Sequence, residues 1–268
     1  MSRSTATYVY CLVRSAAAPS LEGAPGGLPG AAPPRLLPLD GGLWLAVADA
    51  PLPEYGGDAI ESRLSDLSWV SDRALAHEAV VEHFAAAAPV LPMKLFTLFH
   101  GDERAVAHLS AQREEIGKIF DRIAGRVEWG VRILFREDEA RRRAAAASGA
   151  GERPTSGPAS KSPSGTSFLL RKKAEKESAR DLTAGLRAEV DRAYEELESR
   201  SVEARRRQPE PGEVGARLLL DAAFLVPAGE NEAFDAAVQR LAERFAERAC
   251  EVTLTGPWPP YNFLGGMV

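Results

Sequence analysis

Apolar and polar positions recur along this chain with changing periods, and each change marks an element. Residues 7–13 form a continuous apolar run rich in aromatic and β-branched side chains, which predicts a buried strand. Residues 15–35 are crowded with Ala, Gly and Pro and predict a loop. Two short apolar runs, 36–39 and 43–48, flank Asp40-Gly41-Gly42 and predict a hairpin. Ile60, Leu64, Leu67, Ala74, Val81 and Phe84 then recur at spacings near three, four and seven. That periodicity predicts one long helix, ended by Pro89.

Residues 90–95 are short and apolar, and Pro92 assigns them to a sheet edge or a strand start. Gly101-Asp102-Glu103 opens another helix with acids in its first turn. Its apolar stripe is Val106, Leu109, Ile116, Ile119, Phe120 and Ile123. Val127, Trp129, Val131, Ile133 and Phe135 alternate with Glu128, Gly130 and Arg132, which predicts a half-buried strand with a polar second face. The series is an α+β domain over residues 1–136, a mainly antiparallel sheet with helices on one face.

The composition changes at residue 137. Residues 137–165 turn charged, then Ala-rich, then Ser/Gly/Pro-rich, and read as a flexible linker or insertion with a frayed helix at its start. Residues 166–207 carry a long helical stripe of Leu170, Ala174, Leu182, Leu186, Val190, Ala193 and Leu197, stopped by Pro209 and Pro211. Thirty-odd helical residues reach roughly 50 Å and must lean on other structure to be stable. A strand over 214–226, a helix marked by Phe234, Val238, Leu241 and Phe245, and a strand over 250–255 complete a second α+β domain, 166–255. Residues 256–268 form a tail.

Charge narrows the function classes. The 268 residues carry a net charge of −5, which disfavours a nucleic-acid binder that needs a clustered positive surface. No apolar run approaches the ~20 residues that span a bilayer, so no membrane partner is expected. Arg3 and the apolar run after it faintly resemble a secretory leader, but Arg14 interrupts the pattern and a first strand is expected. Two cysteines, Cys11 and Cys250, make no disulfide framework, and a reducing, cytoplasmic setting is the simplest.

Catalytic motifs are missing from the sequence. It has no phosphate-cradling glycine loop, no dinucleotide fingerprint and no nucleophile elbow. His77 and His83 lie six apart, about 240° round a helix, whereas a zinc helix needs i and i+4. No cofactor, metal or small-molecule substrate is expected, and the chain reads as a non-enzyme. Two alternatives stay open: a small-molecule enzyme using His77, His83 or His100, and an oligomeric scaffold acting through the 166–207 helix.

The tail is the most informative segment. Three prolines in Gly256-Pro257-Trp258-Pro259-Pro260-Tyr261-Asn262-Phe263 force an extended or turning path. Left bare, its three aromatics would expose roughly 450–750 Å², more than most soluble monomers tolerate. The tail is therefore expected to dock, on its own domain, on a partner, or on both through different rings.

That tail and three further stretches resemble the gas vesicle GvpF/GvpL family. The stretches are the opening Tyr8-Val9-Tyr10-Cys11-Leu12-Val13, the run from Leu67-Ser68-Trp69 through His77-Glu78 to Ala88-Pro89-Val90-Leu91-Pro92-Met93-Lys94, and Phe168-Leu169-Leu170-Arg171-Lys172-Lys173. One departure is plain: Lys94-Leu95-Phe96-Thr97 stands where the family usually has Arg-Phe-Gly-Thr, and Phe96 replaces its glycine. The resemblance implies two α+β domains of ferredoxin-like character with the tail docked near their interface. It implies an accessory or minor structural protein needed for gas vesicle formation, associated with the vesicle. It also implies binding to the small hydrophobic shell protein GvpA and to other accessory Gvp proteins, limiting shell-subunit aggregation during nucleation. Trp258, Pro259, Pro260, Tyr261 and Phe263 of the tail, and Val90, Leu91, Pro92 and Lys94 of the edge, are the candidate partner-binding residues.

Overall fold

The computed structural model describes residues 4–147, 185–208 and 216–264. The chain divides into two units, residues 1–128 with 257–268, and residues 129–256. This division falls ahead of the compositional change at residue 137 and returns the tail to the first unit. The predicted stripe positions Leu170, Ala174 and Leu182 lie outside the described residues.

The first unit is built on β1 (Thr5–Arg14), whose interior residues are buried without a break. It lies between β3 (Leu43–Pro51) on one side and β4 (Val90–Pro92) with β5 (Leu98–Phe99) on the other, all antiparallel to it. β2 (Arg35–Leu39) pairs the far side of β3 through the predicted hairpin. Gly41 and Gly42 carry that turn at φ 79° and 74°, a backbone region that glycine enters without Cβ strain. A bulge at Tyr10 shifts the register of β1 against β3. The extra residue resets the alternation, so Tyr8, Tyr10, Cys11 and Val13 share one core layer while Val9 and Leu12 enter the other.

Both sheet faces are covered, where helices on one face were expected. On one face, α4 (Asp102–Ala111) and α5 (Arg113–Ile123) press Leu109, Ile116, Ile119, Phe120 and Ile123 against Val9, Leu12 and Leu45. On the other, α1 (Leu52–Tyr55) supplies Tyr55 and α3 (Leu67–Ala85) supplies Val80, Val81 and Phe84, while α2 (Gly57–Glu61) adds no buried side chain. A strand buried on both faces has no polar alternation to show, and that is the physical reason β1 is continuously apolar.

The long helix expected from Ile60 to Phe84 is two helices, the end of α2 and α3, separated by a turn. The Asp66 carboxylate accepts from the Trp69 N–H at 3.1 Å and starts α3 there. Leu64 and Leu67, expected in the stripe, are 52% and 79% exposed. The buried stripe of α3 instead includes Arg73 and His77. Arg73 donates to Glu54 at 2.6 Å and lies over the Trp69 ring at 4.3 Å. His77 takes the Tyr8 hydroxyl on Nδ1 at 2.6 Å. Each polar side chain is tolerated in the core with at least one of its polar atoms met by a partner, while Arg73 Nε and His77 Nε2 make no hydrogen bond among the described residues. The Ala/Gly/Pro loop is pinned in the same way: the Leu28 N–H donates to the Tyr10 hydroxyl at 2.9 Å, and the Tyr55 hydroxyl donates to the Pro29 carbonyl.

The second unit runs from β6 (Arg126–Arg136) through α6 (Glu137–Ala147), helix α7 (185–198), β7 (Glu203–Arg206), β8 (Ala216–Pro227) and α8 (Asn231–Ala246) to β9 (Cys250–Trp258). Its sheet order is β7-β8-β6-β9. Residues 203–206, expected to end the long helix, are strand β7. Its Glu-Ala-Arg-Arg sequence suits a charged edge, which discourages edge-to-edge pairing. Trp129, Phe224 and Phe234 stack at ring separations of 5.6–6.2 Å, and Leu186, Val190, Leu197, Val238, Leu241 and Phe245 are buried as their periodicity predicts.

Burial lowers the pKa of His77 to about 4, against a smaller opposing pull from the Met93 backbone. Its ordinary value in the unfolded chain is 6.5, so the unfolded state binds the extra proton between those pH values. Stability attributable to His77 is therefore complete above pH 6.5 and falls as pH drops toward 4, by up to about 3 kcal/mol. Neighbouring Glu78, raised by burial, contributes with the opposite sign. Urea melts at pH 7 and 4.5 on wild type and His77→Gln isolate the effect: the variant is expected to lose less stability on acidification, and equal losses contradict the assignment.

Candidate interaction surface

Two features of the first unit are candidates for function, and the first is the docked tail. Pro259 and Pro260 are buried, and residues 261–263 make one 3-10 turn. Phe263 is fully buried and Leu264 joins the core layer of Leu12 and Phe120. Polar clasps fix the path. The Asn262 backbone N–H donates to Glu128 Oε2 at 2.7 Å and its side-chain amide to Oε1 at 2.5 Å. The Tyr261 hydroxyl donates to Glu78 Oε2, and the Arg122 guanidinium donates to the Phe263 carbonyl. Glu78, Arg122 and Glu128 come from α3, α5 and the first residues of β6, so three separate elements converge on the tail.

Glu128 departs from expectation. Alternation assigned it to a polar strand face, yet it is 3% exposed. A buried carboxylate is sustained by strong donors, and Asn262 supplies two of them. Nothing in local periodicity signals this, because the partner is 134 positions away. Glu78 is pushed above the usual carboxylate range by burial, with the Tyr261 hydroxyl pulling back and the negative charges of Glu82 and Glu128 adding to the rise.

The second feature is an apolar groove of about 520 Å³ at one end of the first sheet. It is lined by Ala6 of β1, Leu98 and Phe99 of β5, Tyr55 of α1, Ile60 of α2, Leu64 of the turn after α2, and Phe96. Phe96 has φ 66°, an uncommon conformation that costs a side-chain-bearing residue about 1–2 kcal/mol. This accounts for glycine being usual there in the resembled family. Here the Phe96 ring stacks on Trp69 at 5.4 Å and offsets part of that strain.

The nine candidate residues divide by burial. Val90, Leu91, Pro92, Pro259, Pro260 and Phe263 are buried, and Tyr261 is half-buried with its hydroxyl on Glu78. Trp258, 40% exposed, and Lys94 are the two that present surface. The groove wall from α1 and α2 was not anticipated; the signal available was Gly56-Gly57, which breaks the helix and leaves Ile60 and Leu64 out of the core stripe.

Reactive groups stay apart. His77 is in the core against Tyr8 and Tyr10, His83 lies at the surface beside the Ser20 carbonyl, and His100 lines the groove. Burial raises both cysteine thiols, Cys250 to about 11, so neither is a ready thiolate. Among the described residues no cluster of three or more His, Cys, Asp or Glu side chains suits a metal ion, and no helix is long and apolar enough to cross a membrane.

Replacing Glu128 tests the clasp. Glu128→Ala leaves two part-buried donors without their acceptor and is expected to lower stability by roughly 2–6 kcal/mol, at about 1–3 kcal/mol per orphaned group. It should also expose the tail to carboxypeptidase under conditions where wild type resists. Unchanged protease resistance would place the anchoring elsewhere.

Comparison with known proteins agrees with this anatomy. A family model described as gas vesicle synthesis protein GvpL/GvpF matches residues 6–265. The chain is 30% identical to gas vesicle protein L of Streptomyces sp. (strain CB03234), over 99% of this chain and 95% of that protein. It is 24% identical to gas vesicle protein F of the same strain, over 96% and 99%. Crystal structures of GvpF from Anabaena sp. PCC7120 and Microcystis aeruginosa share the fold, with TM-scores of 0.67 and 0.62 at 17% and 16% identity. They cover 97% of this chain, and 96% and 98% of the respective crystallised chains.

Proposed function

The chain belongs to the GvpL/GvpF family of gas vesicle synthesis proteins, and from that premise we propose that it holds the shell protein GvpA during vesicle formation and limits its aggregation before assembly. The observation that carries this reading is the groove beside β5, a preformed apolar surface on a chain of net charge −5. A shell subunit whose apolar strand and helix surfaces end up facing gas is an aggregation hazard until they are covered. A protein that offers a complementary apolar surface, while remaining soluble through its own charge, covers them transiently. Trp258, exposed at the head of an otherwise docked tail, is a second contact point of the kind that dominates interfaces. Other accessory gas vesicle proteins are the further partners, the cytoplasm is the place of action, and no catalytic step is involved.

Diluting purified GvpA out of denaturant provides the test. Equimolar chain is expected to slow the rise in light scattering several-fold, and Trp258→Ala to weaken the protection with no change in thermal stability. Scattering that rises equally fast with and without the chain contradicts the reading.

A further inference from the structure

The groove's own chemistry points to the form of the segment it accepts. β5 has two residues and, among the described residues, pairs with β1 alone. β4 and β5 share the side of β1 opposite β3, so β5 ends the sheet at this corner. The groove runs along that end, with Leu98 and Phe99 in its floor and Ile60 and Leu64 in its wall. A sheet edge next to an apolar wall offers two things together: main-chain groups that pair with an added strand, and side-chain pockets for every second residue of that strand. The edge of β5 is short, since its Phe99 carbonyl already accepts from the Gly101 N–H at 2.8 Å.

Charge adds a second constraint. Glu61 lines the groove, and Asp58 lies one helical turn earlier on α2. Both are exposed, and among the described residues neither forms an ion pair. The Glu61 carboxylate at the apolar groove, with that of Asp58 one turn away on α2, favours an occupant with a basic residue beside its apolar positions. Leu64 stands exposed at the same wall, and the apolar surface it adds is covered once an occupant is seated.

We propose that the groove receives an extended segment of the partner, added as a strand to the outer edge of β5, with alternate apolar side chains between β5 and α2 and a basic residue over Glu61 and Asp58. For the shell protein as the natural partner, this rests on the reading given under the proposed function. The alternative occupant, an amphipathic helix laid on the same wall, leaves the β5 backbone unpaired.

Two probes are used on the full chain. One is a synthetic peptide of alternating valine and threonine with lysine at each end, together with versions N-methylated along one backbone edge or the other. The second is purified GvpA. The peptide is expected to bind wild type. Methylation along one edge is expected to weaken it at least tenfold, and along the other to have little effect, as one-sided strand addition requires. Leu64→Asp, at a position exposed enough to leave folding intact, should weaken both probes at least tenfold. Asp58→Asn with Glu61→Gln should weaken the peptide several-fold and remove the salt dependence of binding. If both methylated forms bind like the parent, or neither peptide nor GvpA responds to Leu64→Asp, the groove assignment is overturned. If the peptide behaves as expected and GvpA does not bind at all, the groove stands as a strand acceptor and the shell-protein reading falls. If GvpA binds but ignores every groove substitution, the shell-protein reading stands and the groove assignment falls.

Discussion

A strand with no exposed face governs the first unit. β1 is buried on both sides, so two helical layers must cover it, and the layers are unequal. One is made by the paired helices α4 and α5 and completed by Leu264 from the far end of the chain. The other is made by α3 and the four-residue α1, helped by Leu28 from an irregular loop. The groove lies at the Ala6 end of β1 beside β5, with Ala6 itself still buried. The docked tail answers the demand that both faces of β1 be dry.

The elements that could be read from sequence are those whose burial follows a local period. Val131 and Ile133 on β6, the Ile116 to Ile123 stripe on α5 and the Phe234 to Phe245 stripe on α8 all lie in the core as their spacing predicts. The hairpin at Asp40-Gly41-Gly42 was equally plain, because two positive-φ positions favour glycine. Local period failed where a distant partner decides burial. Glu128 is buried by Asn262, His77 by Tyr8, and Arg73 by Glu54 and Trp69. Leu64 and Leu67 failed in the opposite direction, since the Asp66 cap restarts the helix and turns them outward. Coverage of both sheet faces was hidden for a related reason: a fully buried strand shows continuous apolarity, which reports burial but not what does the burying.

The candidate site was legible in part. The tail motif was visible as a concentration of aromatics and prolines, and the structure resolves it into anchors and one exposed ring. Phe263 and the two buried prolines anchor, while Trp258 stays outward. Phe96 gains meaning from its backbone. A phenylalanine in a left-handed conformation is held by Trp69 on one side and closes the groove on the other, so strain and surface meet at one residue. The polar clasps keep the tail folded back while the groove stays open.

A photo-crosslinking residue at position 64, with the same residue at the exposed position 202 of the second unit as control, tests the central claim most directly in cells that form vesicles. The account predicts crosslinks to GvpA from position 64 that exceed those from position 202 by an order of magnitude. Crosslinks to GvpA of equal yield from both positions, or from position 202 alone, contradict it.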